Sequence, residues 1–144
     1  MFEECNYSFK RAIREAIKKT LLYEGFDSDA EVSVTLCSGE YIRKLNKEYR
    51  NKDSSTDVLS FPMYDFYSEE VPEEEGPLAL GDIVLNIERA KEQAKEIGNT
   101  FIEEAAFLTI HSTLHLLGYD HERSEEDDEA QCSAQKEIVS TLDI

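Results

Sequence analysis

One stretch limits the possible folds of this chain more than any other. From Thr100 to Gly118 the sequence reads as a single strongly apolar helix, and residues 111–121 (HSTLHLLGYDH) hold all three of the chain's histidines. A helix this apolar has to be covered by other elements, which makes it central. Thr100 with Glu103 forms a capping box at its start, and Gly118 is a natural stop. On such a helix His111 and His115 share a face, about 6 Å apart along the axis. Gly118 can adopt the left-handed conformation that folds the chain back, which brings His121 within reach. Spacing, stop and return predict one tetrahedral zinc site per chain on His111, His115 and His121, at the end of the central helix.

The plainer alternative is three unrelated histidines, two of them filling the buried side of the helix. Buried imidazoles need hydrogen-bond partners, and the neighbouring Leu114, Leu116 and Leu117 offer none. Three neutral nitrogen ligands would leave the ion doubly charged with one position open to water, whose pKa zinc can lower to roughly 7. Structural zinc sites are usually closed by four ligands. Cys132 is the one cysteine that can approach, from the last helix. Asp120 and Glu122 flank His121, and either can orient an imidazole from behind. The same histidine spacing occurs in metzincin proteases, which require a Glu directly after the first His. Ser112 stands there instead, so a peptidase mechanism lacks its proton acceptor.

The remaining patterns surround this helix with a small sheet. Phe9, Ala12, Ile13, Ala16, Ile17 and Leu21 recur at helical spacing before Gly25. Residues 31–36 alternate as a strand, and Ser38 caps a second helix running to about Tyr49. A short strand at 57–61 precedes Pro62, residues 63–79 read as an acidic surface loop, and 81–85 form a third strand. Asn86 opens a helix bearing Ile87, Ala90 and Ala94. After the central helix, Ser124 with Asp127 predicts a final helix carrying Ala130, Ala134, Ile138 and Leu142. The expectation is a single α/β (α+β) domain over residues 1–144, with a small mixed sheet of three or four strands and about five helices.

Net charge decides less than it first suggests. At −17 the chain repels phosphate at long range, which argues against non-specific nucleic-acid binding. The charge is uneven, however: Lys10, Arg11, Arg14, Lys18 and Lys19 cluster, as do Arg43, Lys44, Lys47, Arg50 and Lys52. These are either solvated helix faces or a local basic groove. No apolar run is long enough for a membrane span, and the acidic N-terminus predicts no export signal. Three widely spaced cysteines fit reduced thiols in a cytoplasmic protein.

Residues 111–121 resemble the signature of the YbeY family, bacterial metal-dependent endoribonucleases of ribosomal RNA maturation. Residues 45–50 (LNKEYR) with 56–62 (TDVLSFP) are similar to a second family segment, and 80–83 (LGDI) to a third. They lie in the family's order and spacing across about residues 31–125. The resemblance implies zinc on His111, His115 and His121, with Arg50 and His111 as catalytic residues. It also implies single-stranded ribosomal RNA as substrate, particularly the 3′ end of the small-subunit RNA, and a role in ribosome quality control. The ribosome or its proteins are the implied partners; DNA and membranes are not. A guanidinium at Arg50 suits the role, since it can grip a phosphate by two parallel hydrogen bonds. There are two departures. The family usually has Gly where this chain has Ser112, whose hydroxyl could touch a metal-bound water. It also often begins with an extra strand, which the short acidic residues 1–8 do not promise. Two other functions compete: a ribosome-assembly factor with a structural zinc, and a metallohydrolase of another class.

Overall fold

The computed structural model describes residues 5–26, 29–63, 78–119 and 125–142. Its elements follow the expected order: α1 (Tyr7–Tyr23), β1 (Ala30–Cys37), α2 (Gly39–Arg50), β2 (Val58–Pro62), β3 (Leu78–Asn86), α3 (Ile87–Ile97), α4 (Phe101–Leu116) and α5 (Glu125–Ser140). The fold is α+β, with a mixed sheet in the order β1-β3-β2. β1 runs parallel to β3 and β2 antiparallel to it. Residues 5–8 form no first strand, because Asn6 already caps α1; residues 1–4 lie outside the described residues.

Helix starts are set by side chains that satisfy otherwise unpaired N–H groups. Asn6, Ser38 and Asn86 accept from the N–H groups of Phe9, Tyr41 and Arg89 at 3.1, 3.3 and 3.1 Å. At α4 the capping box is complete: Thr100 accepts from Glu103 N at 3.1 Å, and Glu103 accepts from Thr100 N at 3.0 Å. The bonds from Thr100 hold the Glu103 carboxyl below its ordinary range. Asn86 has a second task, since its amide donates to Thr56 O at 3.0 Å and Ser55 Oγ at 3.2 Å, tying the start of α3 to the turn before β2.

The two faces of the sheet are covered by different elements. Leu59 and Val84 pair across β2 and β3 and pack with Cys37 and Ile42 against α2. The next pair, Ser60 and Ile83, faces the other way, where Ile83 joins Leu80 and Leu116 of α4. Beside it, Phe9 and Ile13 of α1 pack with Leu85, Ala105 and Leu108, and Phe9 stacks on Phe101 at 5.0 Å. α5 closes the far side of α4 through Ala134 and Ile138 against Ile110 and Leu114.

Two boundaries differ from the sequence patterns. β3 begins at Leu78, so it takes the last two residues of the expected loop, of which 64–77 lie outside the described residues. The alternation that would have shown this is broken by a bulge: Glu31 pairs with Ala79, but Val32 pairs with Gly81. In α5 the buried stripe is Gln131, Ala134, Gln135 and Ile138, while Ala130 is exposed. Two glutamines in a core stripe disguised the helical period. The expected cap Ser124 lies outside the described residues.

Gly81 sits at the bulge with φ 145, and a Cβ there would overlap the Phe61 carbonyl oxygen and lie 3.0 Å from Leu116 Cδ2. Backbone cannot retreat as a flexible side chain can. Gly81→Ala is therefore expected to lower stability by about 3 kcal/mol, read as a fall in the urea midpoint at unchanged slope. A loss under about 1 kcal/mol would contradict this packing.

Glu104, on α4, is only 4% exposed. Burial, and then the charge of Asp57, hold its carboxyl above its ordinary value of 4.5, while a bond from Asn99 works the other way. The native state thus binds this proton more tightly than the unfolded chain does. Its penalty is absent below the ordinary value, grows as pH rises through it, and is complete above the raised value. Glu104→Gln should unfold at higher urea than wild type at pH 7, with the gap closing as pH falls below 4.5. A variant less stable than wild type at pH 7 would refute the sign.

Candidate metal centre

His111 and His115 both lie half-buried on α4, one turn apart. Their rings meet edge to face at 73°, with centroids 4.7 Å apart, and the two Nε2 atoms approach to 3.1 Å. Two nitrogens bound to one tetrahedral zinc at 2.0–2.1 Å would be about 3.3 Å apart. The observed separation lies about 0.2 Å from that value.

The expected return of the chain begins as predicted. Gly118 N donates to His115 O and Tyr119 N to Leu114 O, each at 3.1 Å, and Gly118 has φ 108. This is a Schellman stop with glycine in its left-handed position, and Tyr119 packs against the cluster that contains Leu114. The Tyr119 hydroxyl donates to Glu24 Oε1 at 2.8 Å. Burial, and then that bond, push its pKa up to about 12. The third expected ligand, His121, and its flanking Asp120 and Glu122 lie outside the described residues. Among the described residues no group of three His, Cys, Asp or Glu side chains could hold a metal. Cys132 is exposed and completes no such group.

What faces His111 instead is a pair of glutamines that local sequence reasoning missed. Gln135 Oε1 lies 3.3 Å from His111 Nδ1, and Gln131 Nε2 lies 3.2 Å from the same atom and 3.4 Å from His111 O. The histidines' apolar neighbours in sequence offered no partner, but α5 supplies two. Their repeat at i and i+4 beside Ala134 and Ile138 was the available signal.

Arg50 is the last residue of α2 and is exposed. Its neighbours Arg43 and Lys44 pair with Asp53 and Glu40, whereas Arg50 has no ion pair among the described residues. Asn46, buried within the same segment, donates to Ser54 O at 2.9 Å and so holds the turn that leads to β2. Tyr49 packs edge-on against Phe61 at 5.6 Å, and the adjacent Ser60 hydroxyl is bonded to that of Ser112. The end of α2 is thus joined through β2 to the residue beside His111. The Ser112 hydroxyl, expected to be available to a metal-bound water, is fully buried and committed to Ser60.

A family model described as endoribonuclease YbeY matches residues 3–143. A relative of that name from Bacillus cereus (strain B4264) is 43% identical, over 99% of this chain and 92% of its own. Another from Clostridium botulinum (strain Loch Maree) is 44% identical, over 94% of this chain and 89% of its own. The solution structure of TM1509 from Thermotoga maritima is 33% identical, with TM-score 0.59, covering 92% of this chain and 77% of that one.

The buried serine pair makes a direct prediction. Ser60→Ala leaves the Ser112 hydroxyl buried without this partner and should cost about 1–2 kcal/mol. Ser60→Ala with Ser112→Ala should recover part of that loss in denaturant titrations. Additivity within about 0.3 kcal/mol would mean that the two hydroxyls are not coupled.

Proposed function

The chain belongs to the YbeY endoribonuclease family, and from that premise we propose that it is a zinc-dependent, single-strand-specific endoribonuclease of the cytoplasm. In this reading it matures ribosomal RNA at the 3′ end of the small-subunit RNA and takes part in ribosome quality control. The observation that carries the metal-dependent part is the 3.1 Å approach of the His111 and His115 Nε2 atoms.

His111, His115 and His121 are the residues that would hold zinc. When bound there, zinc supplies Lewis-acid polarisation and acidifies water. The chain's own contribution is charge and position. Arg50, exposed at the end of α2 and without an ion pair among the described residues, can hold a phosphodiester by two parallel hydrogen bonds and stabilise charge developing on it. Ser112 takes no part in proton transfer in this reading, because its hydroxyl is occupied by Ser60. The net charge of −17 makes such a local cation more important, since the rest of the molecule repels RNA. It also leaves room for docking on basic ribosomal proteins, the feature that favours a non-catalytic assembly factor as the second reading.

The test is cleavage of a defined single-stranded RNA by zinc-loaded protein. Wild type should carry about one zinc per chain. Arg50→Ala should keep zinc and fold but lose about 100-fold or more in cleavage. His115→Ala should lose both zinc and cleavage. Cleavage by His115→Ala or by metal-stripped protein at the wild-type rate would rule out the metal-dependent reading. Rescue of ribosome assembly by folded Arg50→Ala without cleavage would favour the assembly factor.

A further inference from the structure

Behind His111, two buried glutamines offer opposite hydrogen-bonding groups to one ring nitrogen. Gln131 is 1% exposed and Gln135 4%. Gln131 brings an amide nitrogen, a donor, to 3.2 Å from Nδ1; Gln135 brings an amide oxygen, an acceptor, to 3.3 Å. A neutral imidazole carries a single N–H, so Nδ1 can answer only one of them at a time.

Each choice dictates what the other nitrogen does. If Nδ1 accepts from Gln131, the proton is on Nε2, which then donates across 3.1 Å to His115 Nε2. If Nδ1 donates to Gln135, the Nε2 lone pair is directed at the place where His115 Nε2 also points. Only the second arrangement makes His111 a metal ligand through Nε2. In it, Gln131 keeps an acceptor, because its amide also lies 3.4 Å from His111 O. Meanwhile Gln131 Oε1 is buried with no hydrogen-bond partner among the described residues. An unsatisfied buried amide oxygen costs stability, and a core position filled by leucine or methionine would not carry that cost.

We infer that Gln131 and Gln135 form a tautomer-selecting pair: Gln135 holds His111 in the metal-binding form, and Gln131 supports the form that bonds to His115 without a metal. Both are positioning residues, and the inference rests on the zinc reading of His111, His115 and His121. Their effects on metal affinity differ, since only the loss of Gln135 weakens zinc binding, which a shared packing role would not produce. Losing Gln135 removes the acceptor that favours the ligand form. Losing Gln131 removes the donor that favours its competitor.

The experiment is zinc affinity of the full chain by chelator competition, with histidine tautomers read from long-range 1H–15N spectra. Gln135→Met should bind zinc about 10–100-fold more weakly than wild type. Gln135→Glu, which keeps an acceptor, should restore most of that loss. Gln131→Met should bind zinc as tightly as wild type or more tightly. In wild type, His111 should move from the Nε2–H to the Nδ1–H form on zinc loading. Equal zinc affinity in wild type and folded Gln135→Met would overturn the inference while leaving the zinc site standing. Equal weakening by Gln131→Met and Gln135→Met would overturn it too, as a packing effect. Should Gln135→Met fail to fold, the test passes to Gln131→Met and the wild-type spectra, where zinc binding weaker than wild type in Gln131→Met, or a zinc-loaded His111 in the Nε2–H form, would be the adverse result. A wild-type chain that binds no zinc would remove both readings together.

Discussion

Burial of α4 on nearly every side is the constraint from which the rest of the structure follows. Ten of its sixteen residues are buried, among them Leu108, Ile110, Leu114 and Leu116. A fully buried aliphatic side chain contributes roughly 1.5–3 kcal/mol, so this helix draws the other elements onto itself. The sheet covers one side, α1 another and α5 a third. Thr109 and Thr113 sit inside this packing because their hydroxyls donate back to Ala105 O and Thr109 O at 2.8 and 2.7 Å. What remains half-open is the strip carrying His111 and His115. The histidine pair is thus placed by the same pattern that builds the core.

Much of this was legible because it is local. Helix order follows from the 3.6-residue period and from caps at Ser38, Asn86 and Thr100, each acting within three residues. The histidine pair is local in the same sense, being one turn apart. The unforeseen features all join residues distant in sequence. Ser60 meets Ser112 across 52 positions, and Gln131 meets His111 across 20. The bulge at Gly81 broke the alternation from which the start of β3 would have been read. A one-dimensional pattern has no term for such contacts, so it points to neither the Ser60 partner of Ser112 nor the His111 partner of Gln131.

Charge illustrates the same limit from the opposite direction. A total of −17 describes a molecule that repels RNA, yet catalysis depends on the field at one place. Within α2 the cations are not equivalent: Arg43 is held by Asp53 and Lys44 lies near Glu40, while Arg50 ends the helix. A cation in the last turn also interacts favourably with the negative end of the helix dipole. That local stabilisation would suffice to explain Arg50 as a surface residue. What distinguishes it is the connection of its segment, through Tyr49, Phe61 and Ser60, to the residue next to His111.

The stop of α4 lies within the histidine segment itself. The Schellman bonds use the carbonyls of Leu114 and His115, so one of the two described histidines is itself part of the stop. One residue more of helix would carry the chain onward along the axis, away from the face that holds both imidazoles. Gly118, at φ 108, allows the reversal, and Tyr119 then anchors it at two points: its ring in the core cluster and its hydroxyl on Glu24 of α1's C-cap. The path of the chain is therefore fixed as far as Tyr119. In the proposed zinc reading, a fixed Tyr119 would favour a third ligand at His121, because ordering a longer loose segment on binding would subtract from affinity. The anchor at Tyr119 thus serves the core and, in the proposed zinc reading, the ligand set as well.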